Sequence, residues 1–267
     1  MSDMRSPWLR RSPTTPVTVL AHRGGLGPWR ENTLAAFGGA LRSGADGVEL
    51  DVRQTADGAL VVVHDPDIPG VGPVHALSQA ELPRWVPTLV DALAVLSRAW
   101  VNVEIKNLPT EPGFDSGERM AVGVAALLSG GPGANDITEA GPAPSGPGTG
   151  PSPGHVVVSS FWAGSLAALA SAPGMSADRM PGRGLLVHPS VDARAALGIA
   201  ANLGCSALHP HHSQVDDDLV EAAHDIGMAV VTWTVNDVAD IGRVVAAGVD
   251  AVITDQVEQT LVALGRR

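Results

Sequence analysis

The stretch Gly47-Val48-Glu49-Leu50-Asp51-Val52-Arg53-Gln54-Thr55-Ala56-Asp57-Gly58-Ala59-Leu60-Val61-Val62-Val63 decides the fold. Gly47–Val52 and Leu60–Val63 are both strand-like, and Asp57-Gly58 between them favours the positive φ angles of a hairpin turn. Leu60–Val63 therefore reads as a hairpin partner of the preceding strand, outside the main series. With it set aside, eight strand-like runs remain: Val17–Ala21, Gly47–Val52, Val101–Ile105, Val156–Ser159, Gly184–Val187, Ser206–Leu208, Ala229–Trp233 and Ala251–Ile253. Amphipathic segments of helical spacing separate most of them: Asn32–Leu41, Leu89–Leu96, Ala163–Ala170, Val191–Asn202, Gln214–Ile226 and Val238–Ala247. Apolar strands alternating with helices are the pattern of a parallel sheet covered on both faces. Eight strands in about 250 residues predict an α/β fold, the (β/α)8 TIM barrel, with a short hairpin addition after strand two. A doubly wound open sheet is the alternative, but no G-x-G-x-x-G leads from the first strand into a helix.

Working outward, the barrel takes residues 17–267. Residues 1–16, rich in Pro, Arg and Ser, are expected to form a flexible N-terminal tail. The Gly/Pro-rich segment 129–154 has almost nothing apolar to bury and is expected to be a disordered surface insertion. The chain has 267 residues, 45% of them hydrophobic, with one cysteine and a formal charge of −11. Lone Cys205 excludes an internal disulfide framework and any Cys-rich metal site, and suits a small core residue. No apolar run approaches the roughly 18 residues that cross a bilayer. No apolar stretch follows Arg5, Arg10 and Arg11 as in a secretory signal. The acidic balance argues against a nucleic-acid partner. A cytoplasmic protein with no stable membrane insertion is expected, acting on a small molecule; its oligomeric state stays open.

The C-terminal ends of the strands are where a barrel of this type places its chemistry. Strand one ends in His22-Arg23-Gly24-Gly25, strand two carries Glu49-Leu50-Asp51, and its hairpin partner ends in His64-Asp65. Strand three carries Glu104-Ile105-Lys106, strand six ends in His209-Pro210-His211, and strand seven in Trp233-Thr234-Val235-Asn236. Residues two apart on a strand share a face, so Glu49 and Asp51 project together, as do Glu104 and Lys106. Buried same-face carboxylates repel unless a positive charge lies between them. Glu49, Asp51 and Glu104 could hold a divalent metal, Mg2+ or Ca2+, through oxygen ligands alone. A plainer reading pairs Glu104 with Lys106 or Arg53 and makes Asp51 a strand-end cap. His22 and His64 are acid–base candidates because imidazole titrates near neutrality. Arg23 and Lys106 could hold an anion, and this assembly suits displacement at phosphorus.

Taken in order, His22-Arg23-Gly24, Glu31-Asn32-Thr33, Glu49-Leu50-Asp51-Val52, Asp57-Gly58 and His64-Asp65 resemble the glycerophosphodiester phosphodiesterase family. Val103-Glu104-Ile105-Lys106, Ser159-Ser160-Phe161, Trp233-Thr234-Val235-Asn236 and Thr254-Asp255 continue the likeness over nearly the whole chain. The resemblance implies a TIM barrel that hydrolyses glycerophosphodiesters to an alcohol and sn-glycerol 3-phosphate. By position it implies His22 and His64 as the acid–base pair and Glu49, Asp51 and Glu104 as metal ligands. Arg23 and Lys106 would bind phosphate, and Trp233 would form an aromatic wall of the substrate pocket. Two departures stand out. Arg30 replaces the proline that commonly precedes Glu-Asn-Thr, and Pro66-Asp67-Ile68-Pro69-Gly70 with a short route to Leu89 replaces a longer insertion over the pocket. Two rivals are a lysophospholipase D-type phosphodiesterase and a barrel that binds a phosphorylated ligand without turning it over. The two imidazoles count against the second. His209 and His211 stay outside the catalytic set. Trp29 and Trp162 are placed in rim loops, where they could line the pocket, while Trp8, Trp85 and Trp100 are expected to be structural.

Overall fold

A computed structural model describes residues 10–12, 15–130, 155–175 and 180–267. Most of the expected tail over 1–16 and nearly all of the expected insertion over 129–154 lie outside the described residues. The chain forms β1 (Thr18–His22), β2 (Gly47–Gln54), β3 (Leu60–Val62), β4 (Asp67–Ile68), β5 (Gly72–Pro73) and β6 (Trp100–Ile105). There follow β7 (Val156–Ser160), β8 (Gly182–Val187), β9 (Ala207–Pro210), β10 (Ala229–Thr232) and β11 (Ala251–Thr254). The helices are α1 (Leu34–Arg42), α2 (Leu89–Val95), α3 (Arg119–Ser129) and α4 (Ala163–Ala170). They continue with α5 (Ala193–Asn202), α6 (Asp217–Asp225), α7 (Val238–Ala246) and α8 (Val257–Ala263). No helix among the described residues is long and apolar enough to cross a membrane.

Strand β1 pairs in parallel with β2 on one side and β11 on the other. The sheet order β11-β10-β9-β8-β7-β6-β2 connects those two neighbours, so eight parallel strands close into a barrel. Strand β3 stands outside that ring, antiparallel to β2 through Val52↔Val62, Arg53↔Val61 and Gln54↔Leu60. Its turn uses Gly58 at φ +87°, a left-handed conformation that costs glycine little. The two-residue strands β4 and β5 form a further small hairpin that the sequence pattern does not announce.

Period-two alternation distributes side chains between two cores. Val48, Leu50 and Val52 of β2 and Val101, Val103 and Ile105 of β6 face outward to the helix layer, packing with Phe37, Leu89 and Leu166. A separate inner cluster fills the barrel with Leu20, Trp100, Val157, Ala207, Ala229, Val231, Ala251 and Ile253. Side-chain caps start several helices, Thr33 for α1, Thr88 for α2, Asp192 for α5 and Asp216 for α6. Helix α1 begins at Leu34, two residues later than its apolar spacing suggests. Asn32 instead adopts a left-handed φ of 55° and turns its side chain to Asp51.

Candidate active site

The C-terminal ends of β1, β2 and β6 adjoin in the barrel, because β2 lies between the other two. Register sets His22 beside Glu49 and Asp51 beside Glu104. A cavity of about 140 Å³ opens there. It is lined by His22, Arg23, Glu49, His64, Glu104, Lys106 and Trp233, with Asn102, Phe161 and Leu186 also in its walls. Asp51 is buried behind this lining. The eight residues singled out from the sequence are thus gathered at one end of the barrel.

Three carboxylates dominate the electrostatics. Glu49, Asp51 and Glu104 each offer one oxygen, all within 4.8 Å of one another. Burial, reinforced by the charge on Asp51, pushes the Glu49 carboxyl up to about 8. Burial also raises Glu104, against the opposing pull of Lys106. Asp51 goes the other way: burial favours its neutral form, but Lys106 and Arg23 together hold it below the usual carboxylate range. Glu49 Oε1 is buried with no hydrogen-bond partner among the described residues. An all-oxygen set with an unpartnered acceptor and mutual repulsion fits a hard divalent cation.

The nearby cations are held by the same carboxylates. Lys106 Nζ lies 2.9 Å from Glu104 Oε1 and 3.8 Å from Asp51 Oδ1. Arg23 adopts a left-handed φ of 52°, uncommon outside glycine, asparagine and aspartate. Its backbone N–H donates to Glu49 Oε2 at 3.1 Å, and its guanidinium sits 3.2 Å from Asp51 Oδ2 and from Glu31 Oε1. Arg53, the other conceivable partner for Glu104, pairs with Glu111 at 2.9 Å.

Each candidate histidine is oriented by a carboxylate. His22 Nδ1 donates to Asp255 Oδ1 at 2.7 Å, and Asn236 Nδ2 donates to Asp255 Oδ2 at 2.7 Å. Burial favours neutral His22, but the Asp255 hydrogen bond and the Glu49 charge outweigh it, and its pKa is raised. His64 Nδ1 donates to Asp65 Oδ1 at 2.8 Å. Burial lowers the pKa of His64, although Asp51 opposes it. In both rings Nδ1 is occupied, which leaves Nε2 for proton transfer. His64 also borders a second cavity of about 170 Å³, lined in part by Arg30, Asp67, Ile68 and Trp85.

Several residues that position the site stand in the sequence motifs without a role attached to them. Asp255 and Asn236 orient His22, and Asn32 donates to Asp51 Oδ2 at 2.8 Å. Asp255 was within reach of the strand-end rule, since it directly follows the last barrel strand. Trp29 and Trp162 are not among the residues that line the cavity beside Glu49. Trp29 packs over Gly39, and Trp162 Nε1 donates to Glu118 at 2.8 Å. His211 meets Trp233 edge-on at 5.3 Å, while His209 is fully buried inside the barrel. Cys205 is buried, and burial pushes its thiol up to about 11.

Residues 22–259 match the model of the glycerophosphoryl diester phosphodiesterase family. A glycerophosphodiester phosphodiesterase from Caldanaerobacter subterraneus subsp. tengcongensis is 30% identical, over 93% of this chain and 98% of that protein. Among solved structures, a glycerophosphodiester phosphodiesterase from Thermotoga maritima superposes with a TM-score of 0.70 at 22% identity, covering 93% of this chain and 98% of the other. A phosphodiesterase from Oleispira antarctica, solved in complex with the product sn-glycerol-3-phosphate, superposes with a TM-score of 0.70 at 24% identity. That likeness covers 94% of this chain and 97% of the other.

Proposed function

Because the chain belongs to the glycerophosphoryl diester phosphodiesterase family, we propose that it hydrolyses glycerophosphodiesters to an alcohol and sn-glycerol 3-phosphate with a divalent metal. The observation that carries the reading is one cavity holding two carboxylate-oriented imidazoles beside three buried carboxylates. The sn-glycerol-3-phosphate bound in the Oleispira antarctica phosphodiesterase supports the product.

Glu49, Asp51 and Glu104 would hold the cation. When bound, it supplies positive charge to a non-bridging phosphoryl oxygen and lowers the electrostatic cost of attack at phosphorus. Arg23 and Lys106, relieved of part of their pairing with Asp51 and Glu104, turn their charge to the same phosphoryl group. One imidazole takes the proton from the attacking hydroxyl, which is either water or the neighbouring glycerol hydroxyl, the latter giving a cyclic phosphate that water then opens to sn-glycerol 3-phosphate. The other gives a proton to the departing alcohol oxygen as its bond to phosphorus breaks. Asp255 fixes the ring of His22 and stabilises its charged form, while Asp65 fixes the ring of His64. Trp233, its indole N–H held at 2.8 Å by the carbonyl of His209, forms part of the pocket wall. Two oriented imidazoles have no use in a barrel that only binds a phosphorylated ligand.

Release of sn-glycerol 3-phosphate from glycerophosphocholine tests the reading, run with Mg2+ or Ca2+ and again with a chelator. Release is expected with metal, is abolished by the chelator, and falls by about 10²–10⁴-fold in His22→Ala. A folded protein that releases nothing with either metal, or a His22→Ala variant as active as wild type, contradicts it.

A further inference from the structure

Alongside the carboxylates, the barrel interior contains polar side chains that nothing in the proposed reaction uses. Asn102, Ser159 and His209 are each at most 1% exposed. Asn102 Oδ1, Ser159 Oγ and both ring nitrogens of His209 have no hydrogen-bond partner, and Glu49 Oε1 shares that condition. These five atoms make up most of the eight buried side-chain N and O atoms without a partner among the described residues.

Strand register sets Asn102 and Ser159 among the carboxylates, and a glycine on the next strand makes room for His209. Glu49 is paired with Asn102, Glu104 with Ser159, and Ser159 with Gly184. A Cβ added to Gly184 would stand 2.3 Å from His209 Nε2. The imidazole of His209 therefore lies over a neighbouring strand that contributes no side chain there, one strand away from Ser159. Asn102 forms part of the wall of the catalytic cavity, so this group adjoins space that water can enter. Burial pushes the His209 pKa down to about 3, so the ring is neutral and offers one donor and one acceptor.

A buried polar atom without a partner costs about 1–3 kcal/mol, and native interiors avoid that cost with ordered water. Five such atoms on adjoining strands, with apolar side chains filling the barrel below them, mark a place built for water. We propose that Asn102, Ser159 and His209 hold a cluster of buried water molecules that hydrogen-bonds the free Oε1 of Glu49 and sets that carboxylate for the cation. The three are positioning residues, acting on the reaction through Glu49. Their role in cation binding rests on the metal-dependent reading above, while the water cluster stands apart from it.

A crystal structure of the metal-free protein at better than about 1.5 Å resolution reads the cluster directly. Ordered waters within hydrogen-bond distance of a His209 ring nitrogen and of Asn102 or Ser159 are expected. An interior without them, or with these side chains bonded to one another, overturns the cluster. Calorimetric titration of Mg2+ into the chelator-treated protein reads the positioning role. His209→Leu and the milder Ser159→Ala are each expected to weaken Mg2+ binding by about ten-fold or more. A merely structural role would move the thermal midpoint and leave Mg2+ affinity alone, and that result overturns the positioning role. Should His209→Leu fail to fold, Ser159→Ala decides. A wild-type protein that binds neither Mg2+ nor Ca2+ overturns the metal reading and the positioning role together. Waters absent from a wild type that does bind Mg2+ overturn this inference alone.

Discussion

The two ends of the barrel interior are built from the same strands and differ in kind. On β7, Val157 belongs to the apolar inner cluster, and Ser159, two residues on, is a buried hydroxyl without a partner. On β6, Trp100 is core, Asn102 borders the cavity and Glu104 is one of the clustered carboxylates. On β9, Ala207 gives way to His209. The lower end needs nothing beyond its own side chains. The upper end buries like charges and unpartnered polar atoms, which are tolerable only with a cation, a substrate or water beside them. Stability and chemistry thus occupy successive layers of one sheet.

The widest separation between the layers is expected from Asp255→Asn. The amide keeps one acceptor oxygen, enough for His22 or Asn236 but not both, and no longer carries the charge that stabilises the His22 imidazolium. Turnover should fall by about two to four orders of magnitude while stability falls by only about 1 kcal/mol. Steady-state kinetics with circular-dichroism melting checks both, and a large loss of stability would break the contrast. Leu20→Ala tests the opposite end. Leu20 is fully buried in the inner cluster, and a loss of about 2–5 kcal/mol is expected in denaturant unfolding, with activity per folded molecule preserved.

The finest test concerns Glu49. Its carboxyl is pushed up to about 8 in the folded, cation-free protein, against 4.5 as its ordinary value. The folded state then binds the proton more tightly than the unfolded state. The stability this provides is complete below about pH 4.5 and is lost as the pH climbs towards 8. Glu49→Gln removes that slope. In chelator at pH 8 the variant should be more stable than wild type by roughly 1–3 kcal/mol, and Mg2+ should no longer raise its thermal midpoint. A variant less stable than wild type in chelator would show that the carboxylate is comfortable without a cation.

The strand-end charges were readable because period-two alternation forces Glu49 with Asp51, and Glu104 with Lys106, to one face. No knowledge of the partner strands was needed for that. The eight-strand count was readable because Asp57-Gly58 marks the one run that turns back on its predecessor. Asp255 was harder to see, since its value depends on β11 returning beside β1, 233 residues from His22. The sequence puts His209 at the end of strand six, outside the catalytic set, and says nothing of where its ring goes. The structure keeps both His209 and Pro210 within β9, and the ring fits inside only because Gly184 leaves room on the adjacent strand. A side chain's place inside a closed barrel depends on its neighbours' sizes, which strand periodicity does not encode. The late start of α1 has the same origin: Asn32 has helical spacing but is claimed by Asp51 across the loop.

The hydrogen bond between His22 and Asp255 also has a consequence for synthesis. The first barrel strand ends in the imidazole and the last ends in the carboxylate that orients it. A nascent chain emerging from the ribosome exposes His22 long before Asp255 has been translated. Until β11 docks against β1, the ring is neither aligned nor charge-stabilised, and Glu49 has no oriented imidazole beside it. If His22 acts as proposed, competence would await closure of the barrel by β11 against β1, and an unfinished chain would lack an aligned imidazole.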